Sequence, residues 1–268
     1  WPQVTGDVEE GGLGFSLKWN MGWMHDFLEY MKLDPYFRKF NHGKMTFSLM
    51  YAYSENFILV LSHDEVVHLK CSMLGKMPGD KDDKFANLKL AYAYMSGHPG
   101  KKLLFMGQEF GQWNEWSEKK ALDWYLLEDP SHKELKEFTK ACMMLNKKYK
   151  CLYETDYSPE GFRWINANDR DNSVFSFIRI SPDKKRHLLF VLNFTPVERM
   201  HHRIGVPIKG KYKLVLGDDL KNQKKTLTSI HGECDGYKDS LLIDLHRYGI
   251  AVYEFNGDVN AHKPTKIS

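Results

Sequence analysis

The sequence predicts an α/β region followed by an all-β region, and two patterns along the chain support this prediction. In the first half, short apolar runs such as Asn56–Ser62 alternate with segments whose apolar residues recur at helical spacing. This alternation of strands and helices is typical of parallel βαβ units. From about Tyr153 onward, short runs rich in β-branched and aromatic residues are separated by turn signals such as Asn168–Asn172. That second pattern predicts an antiparallel β-sandwich.

Individual elements follow from the same periodicities. The run Asn56–Ser62 is apolar almost throughout, as expected for a strand with both faces covered. Ser131 and Glu134 fit a capping box at the start of a helix. In the first region the predicted buried strands are Gly14–Trp19, Asn56–Ser62 and Lys101–Gly107, and the predicted helices are Trp23–Met31, Lys84–Gly97 and Ser131–Tyr149. In the second region the predicted strands are Gly161–Asn166, Ser173–Ile180, His187–Phe194, Lys211–Gly217, Ser240–Leu245 and Ile250–Phe255.

Composition narrows the classes of function. The 268 residues include 42% hydrophobic and 14% aromatic side chains, enough for one large and one smaller core. The net charge of +3 comes from residues spread along the chain, so neither nucleic acid nor an anionic membrane is an expected partner. No run approaches the roughly 18 consecutive apolar residues of a membrane-spanning helix. Four cysteines without a Cys-x-x-Cys pair predict a reducing, cytoplasmic setting.

The stretch LSHDEVVHLK superficially resembles a zinc-binding motif, in which two histidines lie four residues apart on one face of a helix. His63 and His68 are five residues apart, which separates them by about 140° around a helix, so they cannot share an ion in that way. Glu65 does form a Glu-x-x-His pair with His68. Glu198 and His201 form a second such pair, but a di-metal bundle needs these pairs on facing helices with two further glutamates. We therefore predict no metal site.

Carboxylates, an imidazole and an indole fall at the carboxyl ends of two predicted parallel strands. His63 and Asp64 follow one strand, and Gln108, Glu109 and Trp113 follow the next. In barrels of parallel strands this rim carries the chemistry. Carboxylates can exchange protons or attack an anomeric carbon, and imidazole and indole suit sugar hydroxyls and ring faces. Alternatively, Asp64 caps the next helix and His63 is a buried, satisfied histidine; spacing alone leaves both interpretations open.

Several long motifs, in order along the chain, resemble a known family. They are GGLGFSLKWNMGWMHD, YMKLDPYFRKFNHGKMTFSLMYAYSENFILVLSHDEVVH, MPGD, KFANLKLAYAYMSGHPGKKLLFMGQEFGQWNEW and PEGFRWIN. These stretches look like the carboxyl-terminal part of bacterial glycogen branching enzyme, a member of the α-amylase superfamily, and the likeness runs from Trp1 to about Asn256. It implies the second half of an amylase-type (β/α)8 barrel over residues 1–153, a β-sandwich domain over 154–256 and a tail over 257–268.

The resemblance also implies an activity. The family cleaves α-1,4 glucans such as amylose and glycogen and passes the chain to a 6-hydroxyl, which makes the α-1,6 branches of glycogen biosynthesis. It uses a retaining mechanism with three carboxylates and no metal or organic cofactor. Asp64 matches the carboxylate that binds hydroxyls of the cleaved glucose, and His63 matches the histidine that stabilises the transition state. Gln108, Glu109 and Trp113 are expected substrate contacts at the rim, and for Glu109 and Trp113 a purely structural role is an open alternative.

The other two carboxylates of the family lie on earlier strands. The acid–base glutamate precedes, by a few residues, a Trp-Pro-x-Val-Thr segment like Trp1–Thr5, and Glu9 and Glu10 come too late to replace it. We therefore expect this chain alone to be inactive and to require the missing amino-terminal half of the barrel as its partner. Two positions depart from the family, since Leu69 stands where glycine is usual and Ser117 where asparagine is common.

Two alternatives to a branching enzyme remain open at this point. A related α-glucan hydrolase would share His63 and Asp64. A non-catalytic glucan-binding module would instead use the aromatic residues of the β-rich region as its platform.

Overall fold

The structure, a computed structural model, describes residues 3–261. The chain divides into two compact units between Leu145 and Asn146. The sequence places this division after residue 153. Trp1 and Pro2, and most of the predicted tail at 257–268, lie outside the described residues.

The first unit contains a small parallel sheet and most of the helices. Its strands are β1 Lys18–Trp19, β2 Phe57–Leu61 and β3 Lys101–Leu104. Its helices are α1 Met21–Lys32, α2 Pro35–Arg38, α3 Gly43–Thr46, α4 Met73–Lys76, α5 Lys81–Gly97 and α6 Pro130–Lys148, the last of which continues past the division. Short 3-10 turns at Val8–Glu10, Phe47–Met50, His63–Glu65, Gln108–Phe110 and Trp124–Glu128 connect them.

The sheet has the order β1-β2-β3, and both pairings are parallel, as the alternation of strands and helices predicts. The central strand β2 is buried, with Leu59, Val60 and Leu61 fully inaccessible. The prediction of a buried strand over residues 14–19 is wrong for most of its length. Only the last two residues pair, and Phe15 remains 61% exposed. Within the described residues β1 has a strand neighbour on one side only. The residues before it bond instead to the amino-terminal segment, with Gly14 N donating to Gly6 O and Phe15 N to Val4 O.

Side-chain caps fix where the long helices begin. Asn20 accepts a hydrogen bond from Trp23 N at the start of α1, and Asp80 caps α5 in the same way. The predicted capping box at Ser131 is wrong. Helix α6 already begins at Pro130, which needs no N–H in the first turn, and the carboxylate of Asp129 accepts from Ser131 N at 2.9 Å.

The second unit is built from antiparallel strands, as predicted. They form a six-stranded sheet of order β4-β5-β6-β12-β8-β9 and a three-stranded sheet of order β10-β11-β7. The six predicted strands are β4 Phe162–Asn166, β5 Val174–Arg179, β6 His187–Asn193, β8 Lys211–Gly217, β11 Tyr237–Leu245 and β12 Ile250–Phe255. Three more were not predicted: β7 Arg199–Val206, β9 Thr226–Thr228 and β10 Ile230–Cys234. Strand β9 has only three residues, and β7 and β10 are exposed or half-buried over their first residues, so none of the three shows a clear apolar alternation.

One apolar core joins the two sheets of the second unit. Leu189 and Val191 of β6 contribute to it from the larger sheet, and Leu241 and Ile243 of β11 from the smaller one. Strand β6 is buried along its whole length, which explains why its sequence is apolar without alternation.

Candidate functional site

His63 and Asp64 lie where the central parallel strand ends. Strand β2 stops at Leu61, and the chain then makes a 3-10 turn over His63–Glu65. His63 Nε2 lies 3.1 Å from an Asp64 carboxylate oxygen, and the side chains are 47% and 55% exposed. Because both are reachable at the carboxyl end of a parallel strand, they can bind a polar ligand from outside the sheet.

The structural alternative for this pair is wrong. The next helix, α4, is capped by Ser72, whose hydroxyl accepts from Gly75 N at 3.0 Å, so Asp64 is not its cap. His63 is half exposed rather than buried. Its ring lies 5.7 Å from that of Phe105 and 6.3 Å from that of Trp116, so two aromatic side chains form a wall beside the imidazole.

The turn after β3 ties the ends of two strands together. Gly107 adopts φ of 90°, a conformation that glycine adopts without strain, and donates its N–H to the Glu109 carboxylate at 2.7 Å. The Gln108 side chain is buried and donates to Leu61 O at 3.1 Å. Burial, together with the nearby charge of Glu109, raises the pKa of Tyr92, whose hydroxyl donates to Gln108 O. Gln108 therefore joins the ends of β2 and β3, and Glu109 remains partly exposed.

Trp113 packs against two other rings while leaving part of its surface open. It is 37% exposed, and it meets Phe85 and His132 edge-on at ring distances of 6.1 and 6.0 Å. His132 is buried and its Nδ1 bonds to Phe110 O at 2.8 Å. The indole is thus fixed in place by helices α5 and α6.

Glu115 binds the loop that follows Asp64. Its two carboxylate oxygens accept from Leu69 N at 3.1 Å and from Cys71 N at 2.8 Å. The next residue, Trp116, donates its N–H to Val66 O at 3.0 Å. Sequence reasoning missed Glu115, because it lies more than 40 residues along the chain from the loop it binds and no local spacing links the two.

Metal-ligating groups are sparse among residues 3–261. Three potential ligand atoms come within 4.8 Å of one another only at His25, Asp26 and Glu29 on α1. The Lys44 ammonium lies 2.5 Å from Glu29 and lowers the pKa of that carboxyl through a hydrogen bond, so a cation already occupies part of this group. Glu65 and His68, the pair singled out in the sequence, lie on a turn and at a left-handed residue rather than on one helical face.

Comparison with known proteins places the two units in context. Residues 164–256 match the family model of the alpha amylase C-terminal all-beta domain. Over 263 residues the chain is 53% identical to 1,4-alpha-glucan branching enzyme GlgB of Butyrivibrio fibrisolvens, covering 95% of this chain and 41% of that protein. The chain is similar to the carboxyl-terminal part of bacterial branching enzymes. The GlgB of Aquifex aeolicus is 52% identical over 221 residues, covering 82% of this chain and 35% of that protein. The resemblance seen in the motifs is therefore confirmed.

Crystal structures of amylase-type enzymes share the fold. A debranching enzyme from Nostoc punctiforme matches with a TM-score of 0.62 at 14% identity, over 94% of this chain and 51% of that one. AmyP in complex with maltose matches with the same TM-score at 13% identity, over 95% and 52%. Within residues 3–261 no helix is long and apolar enough to cross a bilayer.

Proposed function

We propose that this chain is the part of a bacterial 1,4-alpha-glucan branching enzyme that contributes Asp64 and His63 to the active site. The chain spans less than half the length of the branching enzymes it matches, so the activity belongs to the complete, cytoplasmic protein. That protein would cleave α-1,4 glucan and transfer the chain to a 6-hydroxyl in glycogen biosynthesis. The observation that carries the proposal is the exposed His63–Asp64 pair at the carboxyl end of β2.

The chemistry of this pair fits sugar binding at a charged transition state. The Asp64 carboxylate would accept hydrogen bonds from hydroxyls of the cleaved glucose, and its negative charge would favour an oxocarbenium-like transition state. His63, held 3.1 Å from Asp64, would donate to a neighbouring hydroxyl. Neither can replace the nucleophile or the acid–base of a retaining mechanism, which the family resemblance assigns to upstream segments. No cofactor or metal is needed for this route.

The first unit supports the barrel half predicted from the resemblance. Three parallel strands in sequential order, with helices between them, form βαβ units, and β1 and β3 each have a neighbour on one side only among the described residues. Large apolar side chains just before and within β1, such as Phe15 and Trp19, are exposed. An upstream segment that pairs with these strand edges would complete a (β/α)8 barrel and cover those side chains.

Two residues of the β3 turn are proposed as rim contacts and a third as their support. Trp113 offers the open part of its indole as a surface for a pyranose ring. Glu109 can bond a hydroxyl through the oxygen that Gly107 does not use. Gln108, whose amide donates to Leu61 O, would act by holding the two strand ends together beneath the α-1,4 glucan.

The test is a count of branches. The chain is incubated with amylose, alone and with the upstream segment of its enzyme, and the product is debranched to count α-1,6 linkages. We expect none from the chain alone, activity with the upstream segment, and a loss of ~100-fold or more with Asp64→Asn, since a preorganised charge at the reacting centre contributes about that much. The exposed Asp82 on α5 supplies a matched control, because Asp82→Asn should leave activity unchanged.

Other products would contradict the proposal. New reducing ends without new α-1,6 linkages would indicate a hydrolase. Glucan affinity without any product in the completed protein would indicate a binding module. Branching by the isolated chain would show that a complete site forms without upstream carboxylates.

A further inference from the structure

The loop that follows Asp64 has an unusual backbone. His68, Leu69 and Cys71 have φ values of 57°, 65° and 65°, and none of them is glycine. Side chains of L-residues are strained in this left-handed region, and bulky ones most of all. Three such residues within four positions, shortly after the proposed substrate-binding carboxylate Asp64, are unusual for a loop. Strain of this kind persists only where surrounding contacts enforce it, and it gathers at functional sites.

Here the enforcing contacts are present. Both oxygens of the Glu115 carboxylate accept backbone N–H groups of the loop, from Leu69 and from Cys71. Lys70 Nζ donates to Asp64 O at 2.9 Å, so the far side of the loop is linked back to the turn that bears the carboxylate. The loop is therefore held in one arrangement relative to Asp64.

Within residues 3–261, this loop conformation does not bury the Leu69 side chain. Its side chain is 96% exposed, more than any other large hydrophobic residue from 3 to 261. Glycine would adopt the same φ without strain, and a polar residue would suit the exposure better. A strained backbone that displays a 96% exposed leucine, on a loop that Lys70 links to the backbone of Asp64, points to a contact of this side chain outside this chain.

We propose that the loop His68–Cys71 is a glucan-binding element, in which Leu69 packs on the apolar C–H face of a glucose unit next to the one held by Asp64. Glu115 is its positioning residue, since both oxygens of its carboxylate bind the backbone of the loop. This inference rests on the proposed function. A glucan is the occupant rather than a protein segment because Lys70 ties the loop to Asp64, the residue around which the substrate binds.

The contact is tested in the enzyme completed by its upstream segment, with three variants that separate shape from chemistry. Leu69→Asn keeps a residue tolerant of the left-handed region and removes the apolar contact, whereas Leu69→Met keeps an apolar side chain. We expect Leu69→Asn and Leu69→Gly to raise KM for amylose roughly fivefold at nearly constant kcat, as loss of a ground-state contact should. Leu69→Met should retain the KM of the parent, and Leu69→Gly should raise the thermal midpoint because it relieves strain.

The role of Glu115 in holding the loop is tested in the 268-residue chain by hydrogen exchange. We expect the amides of Leu69 and Cys71 to exchange faster in Glu115→Gln, which retains one acceptor oxygen, and to be unchanged in the control Glu118→Gln on the same exposed segment. In the completed enzyme Glu115→Gln should raise KM as Leu69→Asn does. Equal exchange rates in the parent and in Glu115→Gln would contradict the role of Glu115 in holding the loop.

The outcomes separate this inference from the proposed function. If Asp64→Asn abolishes branching and Leu69→Asn leaves KM unchanged, only the glucan contact is overturned. If Leu69→Asn instead weakens association with the upstream segment at constant KM, the occupant is protein and the inference is wrong. If the completed parent makes no branches, the proposed function and this inference fall together.

Discussion

The two units of this chain bury their apolar residues to very different degrees. In the second unit, two antiparallel sheets enclose a common core, and the central strand β6 is buried throughout. In the first unit, three parallel strands leave β1 and β3 with one neighbour each among residues 3–261. Most of the exposed large hydrophobic residues also lie there. They include Leu13, Phe15, Trp19, Tyr36, Phe37, Phe40, Phe47, Met50, Leu69, Trp124 and Tyr125.

This difference follows from the kinds of sheet involved. An antiparallel sandwich can be completed by one stretch of chain, since hairpins bring its strands together locally. A parallel barrel, which we propose for the first unit, closes only when all its βαβ units are present, so a part of one keeps open edges and an uncovered face. The second unit is therefore expected to be self-sufficient, and the first to depend on a partner segment.

Producing the two units as separate polypeptides should reveal the largest difference between them. We expect residues 146–268 to unfold cooperatively on heating and residues 1–145 to bind a hydrophobic dye and to associate, because they expose the larger apolar surface. Calorimetry and dye fluorescence of the two pieces, with the whole chain as control, would measure this. A cooperative, dye-free transition in residues 1–145 would contradict the dependence on a partner.

A buried ion pair should make the second unit sensitive to single changes. Arg179 and Asp156 lie 3.0 Å apart with side chains 0% and 1% exposed, and Arg179 also donates to Gly161 O. Asp156→Ala leaves the guanidinium buried without its carboxylate, so we expect the free energy of unfolding to fall by about 3–5 kcal/mol. Glu154→Ala, which removes the exposed pair with Lys150, should cost far less, because solvent screens an exposed ion pair. Urea unfolding of both variants would check this, and equal losses would contradict it.

The first unit relies on one carboxylate to hold its amino-terminal segment. Glu55 accepts hydrogen bonds from Val4 N, Thr5 N and the Thr5 hydroxyl, and lies 3.4 Å from Lys18 Nζ. Burial raises the pKa of Glu55, but these hydrogen bonds outweigh it and lower the pKa to about 2. We expect Glu55→Gln to lower the free energy of unfolding by about 2 kcal/mol, the typical contribution of hydrogen bonds to a charged group.

The lowered pKa of Glu55 should also make the stability of the protein depend on pH in the acid range. A lowered pKa stabilises the folded state above the unfolded value near 4.5, and that contribution is lost as pH falls from 4.5 toward 2. In Glu55→Gln the thermal midpoint should therefore depend less on pH across this window than in the parent. Glu9→Gln, at an exposed position in the amino-terminal segment, is the control and should follow the parent.

Two histidines of the second unit should respond to pH in opposite directions. Burial lowers the pKa of His187, whose two ring nitrogens bond to Ser181 N and Gly257 O, so stability should fall as pH drops below about 6.5. The Asp218 carboxylate raises the pKa of His246, so that contribution is complete below about 6.5 and is lost as pH rises. Thermal midpoints of His187→Gln and His246→Gln between pH 5 and 8 should deviate from the parent with opposite slopes. Slopes of the same sign would contradict the assignment.

Sequence reasoning worked where the signal was local. The apolar run before Ser62 became β2, the helical spacing after Trp19 became α1, and six strands of the second unit lie within a few residues of their predicted bounds. It failed where a neighbour decides the outcome. Residues 14–17 have the pattern of a strand, but Gly14 and Phe15 donate their N–H groups to Gly6 and Val4 rather than to a strand of the sheet. Pro130 begins the helix predicted to start at Ser131, and Asp129 accepts from Ser131 N. Whether Glu109, Trp113 and Gln108 contact substrate stays a prediction.

By itself the sequence determined the α/β-then-β order, the placement of His63 and Asp64 at the end of a strand, and the family likeness, because periodicity and motifs are properties of contiguous residues. Tertiary structure alone decided that His63 is half exposed and that the buried Gln108 amide donates to Leu61 O. It also decided that Glu115 fixes a strained loop 44 to 46 residues away. These features depend on which residues, distant from one another in the sequence, come into contact in the fold. Hydrogen bonds and burial between such groups leave no trace in local spacing.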